Sequence, residues 1–190
     1  SDAEAAESIN AVVISGKEDR FSGGADLDDL NGTIDDLLFD DELGLLTEQI
    51  QKSSLRSAAA VEGVCFGAAI DLAWACDVQV VSTTARFALP AVQIGILYNP
   101  ISLARLHARI GSFLVRRLLI LGEEVSGGDL GAAGVADAVA PGSAVQAAVD
   151  RLTGGPAASD ALRTTKAVLA SLDAGDFDPG FWQQLRGELF

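Results

Sequence analysis

An α/β fold is predicted for this chain. Short β-branched apolar runs alternate with longer segments whose apolar residues recur at helical spacing, and glycines mark the boundaries between them. The 190 residues suit one domain, long enough to bury about two-thirds of its unfolded surface without a disulfide or metal staple.

The elements follow in order. Asn10 to Gly16 (NAVVISG) is a β-branched run that ends in glycine, the pattern of a short buried strand. In Phe21 to Leu27 (FSGGADL) a strand and its loop run into two glycines before a helical start. Nine acids and no Lys or Arg stand between Asp26 and Glu48. Leu30, Ile34, Leu37 and Leu38 recur at helical spacing there, which predicts an amphipathic helix and a loop with the acids on the wet side. A helix is expected over Asp41 to Leu55, a strand over Ala58 to Cys65, a helix over Ala68 to Cys76 and a strand over Asp77 to Ser82. Further helices are expected over Ile101 to Arg109, Ser112 to Leu121, Ala144 to Leu152, Ala158 to Leu172 and from Gly180 to the end, with stops at Gly111, Gly122 and the Gly-Gly-Pro of 154–156.

Composition then excludes whole classes of function. A net charge of −14 and a pI near 4.2 oppose nucleic-acid binding, whose phosphates demand a clustered basic surface. No stretch reaches the roughly 18 apolar residues of a membrane span, and the acidic start SDAEAAESIN lacks the basic and apolar regions of a secretory signal, so a cytoplasmic protein is expected. Cys65 and Cys76 sit inside apolar segments, as buried reduced thiols do. The single histidine, His107, has no cysteine, serine or acid patterned around it, so neither a triad nor a metal site is expected.

Two loops and one acid carry the chemistry. In both FSGGADL and VCFGAAID a strand ends in glycine and small residues open a helix, which leaves backbone N–H groups without intrahelical partners. Two such amides aimed at one oxygen would stabilise an oxyanion, an effect worth about 3–4 kcal/mol per donor. Asp71 follows Ala68 by three residues and so shares its helical face, placed to move a proton beside an enolate. Its sequence neighbours Ala69, Ile70, Leu72 and Trp74 offer little solvation, and the structural alternative is a buried acid paired with an arginine.

Taken together, AVVISGKEDRFSGGADL and AAAVEGVCFGAAIDLAWACDVQVVSTTARFALPAVQIGI, followed by LARLHARIG and GAAGVADAVA, resemble the enoyl-CoA hydratase/isomerase (crotonase) superfamily in order and spacing from about Asn10 to Lys166. The resemblance implies a spiral of β-β-α turns: a core over residues 1–142, its N-terminal part absent from the sequence, and a C-terminal helical region over 143–190 that mediates trimerisation. It implies an acyl-CoA thioester as substrate, with coenzyme A carried by that substrate and no other cofactor. By position the oxyanion amides are those of Ala25 and Ala68, and Gly24, Asp26, Leu27 and Gly67 line the substrate.

This sequence also departs from the family pattern. Hydrating members carry two glutamates, at the positions of Asp71 and Ala91, and a related isomerase branch has a further aspartate where Asn99 stands. Tyr98 and Asn99 are candidates for polar roles at the acyl end. One acid suffices to shuttle a proton in an isomerisation or to protonate an enolate after C–C cleavage, so a lyase or isomerase is expected, with a non-catalytic acyl-CoA-binding or scaffold subunit as the alternative. Lys17, Arg20, Arg56 and Lys166 are candidates for the cations that meet the coenzyme A phosphates. The apolar segments VRRLLIL and FWQQLRGELF resemble the family's interface helices, and that resemblance implies a homotrimer or homohexamer.

Overall fold

The computed structural model describes residues 9–17, 19–26, 37–157 and 159–188. Leu27, Leu30 and Ile34, and the side chains of Leu37 and Leu38, lie outside what is described.

The strands are β1 (Ala11–Ser15), β2 (Arg20–Ser22), β3 (Arg56–Val61), β4 (Val64–Phe66), β5 (Val78–Ser82), β6 (Arg86–Ala88), β7 (Val125–Ser126) and β8 (Asp137–Val139). The helices are α1 (Leu37–Lys52), α2 (Ala69–Ala75), α3 (Pro100–Leu119), α4 (Gly127–Ala132), α5 (Ala144–Leu152), α6 (Asp160–Ala174) and α7 (Pro179–Glu188). One sheet has the order β1-β3-β5-β8 and the other β2-β4-β6-β7. Every pairing is parallel except β6 with β7. The chain therefore spirals: β1 and β2, β3 and β4, and β5 and β6 each give one strand to each sheet before the path moves on.

The single strand expected over Ala58 to Cys65 is thus two strands in two sheets. Glu62 and Gly63 break it, and Gly63 has φ +59°, a conformation that glycine adopts without strain. An apolar run that crosses from one sheet to the next reads as one strand because both halves are buried.

β3 explains the layering. Ala59 and Val61 face a core shared with Ile70, Trp74, Phe87 and Leu106, while Ala58 and Ala60 face Ala144, Ala148 and Leu152 of α5. Strands buried on both faces read as continuous apolar runs, and alanines let helices approach both sides. Trp74 meets Phe87 edge-on at 5.6 Å between ring centroids.

The helices at Ala144 and Ala158 fall close to their expected places, and α6 packs on α1 and α3. α3 runs through both predicted helices, with Gly111 at φ +81° as the kink between them. Asp41, Glu42 and Glu48 of α1 are exposed. Cys65 and Cys76 are buried free thiols, and burial raises both pKa values, that of Cys76 to about 12. His107 lies on the surface. Among the described residues no helix is long and apolar enough to cross a membrane.

Candidate functional site

Parallel pairing of β2, β4 and β6 brings the ends of all three strands to one edge, which is where ligands bind in such sheets. The loops leaving that edge are Gly23–Asp26, Gly67–Ala68 and Leu89–Ala91.

The first two loops touch. A Cβ built on Gly24 would lie 3.0 Å from the Phe66 carbonyl oxygen and 3.7 Å from Gly67 Cα, and one built on Gly67 would lie 3.6 Å from Gly24 Cα. Both glycines have positive φ, +93° and +59°, so side chains are opposed by conformation as well as by space. Gly67 N–H donates to the Ala88 carbonyl at 2.8 Å, which ties the second loop to the end of β6. The amides of Ala25 and Ala68, next in the chain after these glycines, donate to no described residue. Ala68 is half-buried and precedes α2, a helix of only seven residues, while Ala25 and Asp26 are exposed.

Asp71 stands in the first turn of α2 and is 1% exposed. The expectation of an acid with apolar surroundings needs correction here. Ser102 Oγ donates to Asp71 Oδ2 at 2.7 Å, and Arg105 Nη1 donates to Oδ1 at 2.6 Å, forming a buried ion pair. Both partners come from α3, at a spacing of three that puts them on one helical face. Sequence reasoning missed them. The available signal was a serine and an arginine sharing the buried face of a helix that must pack on α2.

α3 grips the far end of α2 as well. Arg109 Nη1 donates to the carbonyls of Trp74 at 2.6 Å and Cys76 at 2.9 Å, satisfying acceptors that a helix terminus leaves open.

The third loop leads from β6 to α3. Ala91, where hydrating relatives of the pattern carry their second acid, is 9% exposed and belongs to the apolar core. Ile96 N–H donates to the Ala91 carbonyl at 2.8 Å, folding the loop back on itself. Tyr98 packs against the core. Asn99 has a structural task, since its Oδ1 accepts from Ile101 N–H at 2.9 Å and Ser102 N–H at 3.2 Å and so caps α3.

Of the four candidate cations, three already have a partner, Arg20 through Asp19 Oδ1 at 3.9 Å. Lys166 Nζ pairs with Asp77 Oδ2 at 2.9 Å and donates to the Leu55 carbonyl at 2.7 Å, and Arg56 Nη1 donates to the Leu152 carbonyl. Lys17 and Arg20 remain exposed beside β2.

Comparison with known proteins gives a consistent result. The Enoyl-CoA hydratase/isomerase family profile matches residues 1–172. The chain is 31% identical over 134 residues to 2,3-dehydroadipyl-CoA hydratase of Escherichia coli, covering 70% of this chain and 52% of that protein. It is 29% identical over 122 residues to a probable enoyl-CoA hydratase of Bacillus subtilis, covering 63% and 47%. The chain thus spans about half the length of these relatives. Among solved structures, a Hyphomonas neptunium protein assigned to the enoyl-CoA hydratase/isomerase family superposes with a TM-score of 0.83 at 26% identity, over 100% of this chain and 75% of that one. Methylmalonyl-CoA decarboxylase in complex with 2-nitronate-propionyl-CoA shares the fold at a TM-score of 0.78 and 22% identity, over 98% and 75%.

Proposed function

The chain belongs to the enoyl-CoA hydratase/isomerase family, and from that membership we propose that it binds an acyl-CoA thioester and turns it over through an enolate, as a lyase or isomerase with a single acid. The observation that carries this reading is the contact of Gly24 with Gly67, which sets in adjacent loops the amides of Ala25 and Ala68, neither of which donates to a described residue. Two amide donors directed at a thioester oxygen are worth more as that oxygen gains charge, so they favour the enolate over the ground state. Gly24, Asp26 and Gly67 flank the substrate in this reading, and Leu27 lies outside the described residues. Lys17 and Arg20, exposed near the first loop, are the cations offered to the coenzyme A phosphates.

We assign the proton step to Asp71, the acid on the helical face of Ala68. Tyr98 stands at the acyl end, while Asn99 contributes by capping α3. A second reading is an acyl-CoA-binding or scaffold subunit without turnover, favoured by the apolar, buried Ala91 and by an Asp71 whose two oxygens are both engaged.

Titration with propionyl-CoA and with 2-nitronate-propionyl-CoA tests the proposal, because the nitronate has the planar α-carbon of an enolate and shares part of its charge with the thioester oxygen. An enolate-stabilising site binds the nitronate at least about 10²-fold more tightly, the scale of transition-state analogues. Equal affinity for the two ligands supports the binding subunit, and affinity for neither removes the acyl-CoA reading altogether.

A further inference from the structure

We propose that Ser102 is the relay through which Asp71 exchanges a proton with the substrate, an inference that rests on the enolate reading above. Asp71 is 1% exposed and both of its oxygens are occupied, so it does not meet a substrate directly in this arrangement. The two occupants differ in kind. Arg105 is a buried cation on Oδ1, and withdrawing it would leave an uncompensated charge in the core. Ser102 is a neutral hydroxyl on Oδ2 that both donates and accepts, and its proton already points at the carboxylate. Oδ1 is therefore the anchored oxygen and Oδ2 the one open to proton traffic.

Ser102 is the more open of the two groups. At 6% exposure it is less enclosed than Asp71, it lies in the first turn of α3, and its backbone is held by the Asn99 cap at the end of the loop from β6. The step balances without a co-reactant. As the substrate's α-carbon–hydrogen bond breaks, its electron pair forms the enolate double bond, and charge moves to the thioester oxygen between the Ala25 and Ala68 amides. Ser102 Oγ accepts that proton while its own proton passes to Asp71 Oδ2. The carboxylate becomes a carboxylic acid, and the serine is neutral before and after. The reverse transfer returns a proton to the enolate at the same or a conjugated carbon. The hydroxyl thus extends the reach of the single acid, while Ala91 stays part of the apolar core.

The test follows deuterium washout from α-deuterated propionyl-CoA, together with affinity for 2-nitronate-propionyl-CoA, in the parent, Ser102→Ala and Ser102→Thr. Ser102→Ala is expected to lose about 10²-fold in washout rate while keeping its nitronate affinity, and Ser102→Thr, which keeps the hydroxyl, to recover most of the rate. The parent should also show a normal solvent isotope effect, because the serine proton exchanges with water and moves in step with the substrate's, and residual washout in Ser102→Ala should not. Retained nitronate affinity verifies that the site is folded. Parent-rate washout in Ser102→Ala, or Ser102→Thr as slow as Ser102→Ala with nitronate affinity intact, overturns the relay and leaves the enolate reading standing. A parent that binds the nitronate no better than propionyl-CoA removes both.

Discussion

Replacing Asp71 with Asn removes the charge and keeps the shape, with the amide oxygen accepting from Arg105 and the amide NH2 turned to donate to Ser102 Oγ. Asp71→Asn is expected to lower α-deuterium washout by about 10²-fold with nitronate affinity preserved, since a carboxamide cannot take the proton. Washout at the parent rate would make Asp71 a structural residue. The pair also carries a stability signature. Arg105→Met leaves Asp71 charged, buried and unpaired, at a cost of about 3–5 kcal/mol read by urea unfolding. The double variant Asp71→Asn with Arg105→Met should recover part of that loss, because no bare charge remains in the core. The acid itself was legible in the sequence, since a lone carboxylate in an apolar run must be compensated. Its partners were not, because they lie 31 and 34 residues downstream and only the packing of α3 on α2 brings them near. Lys166 and Arg56 were misplaced for a related reason: a lysine's sequence does not reveal whether it meets solvent or the carboxylate of Asp77.

Among the elements, the loops between strand and helix were the most legible, because glycine at a strand end constrains the backbone in a way the alphabet records. The turn at Gly24 is the sharpest case. Gly24→Ala would force a Cβ to 3.0 Å from the Phe66 carbonyl oxygen at φ +93°, so the first loop must move away from the second. A loss of about 1–2 kcal/mol in stability and a clear weakening of nitronate binding are expected, with calorimetry for the first and titration for the second. Unchanged nitronate affinity would mean that the loop contact does not shape the site. Asn99 gives a complementary test. Asn99→Ala should cost about 1 kcal/mol through the lost cap of α3, whereas Asn99→Asp should not. Short elements escaped the sequence: β6, β7, β8 and α4 have two to six residues each, too few to show a period.

For the whole molecule, the spiral was expected from the paired motifs rather than from periodicity, because which sheet a strand joins is decided by contacts far apart in the chain. The division into a core over 1–142 and a helical region over 143–190 is a functional proposal, and α5 at its start also closes one face of the β1-β3-β5-β8 sheet. Assembly is the remaining expectation at this scale. Phe113, Ile120 and Leu121 are 75%, 63% and 64% exposed on a chain whose net charge of −14 otherwise favours water. These faces suit association, and with the trimer or hexamer that the family resemblance implies we propose that light scattering at micromolar concentration gives one of those masses, while a monomeric mass would refute it.

The kink at Gly111 has a mechanical consequence. Ser102, Arg105 and Arg109 clamp α2 from the half of α3 that precedes it, whereas Phe113 lies in the half that follows. A continuous helix would act as a push-rod, passing any force on its outer end to the carboxylate at its inner end. The interrupted helix behaves as a jointed arm instead, in which the outer segment can settle against a neighbouring subunit without dragging the acid out of line. Phe113→Ser should accordingly shift the association state while leaving washout per folded protomer unchanged, and a parallel fall in both would show that the joint is rigid.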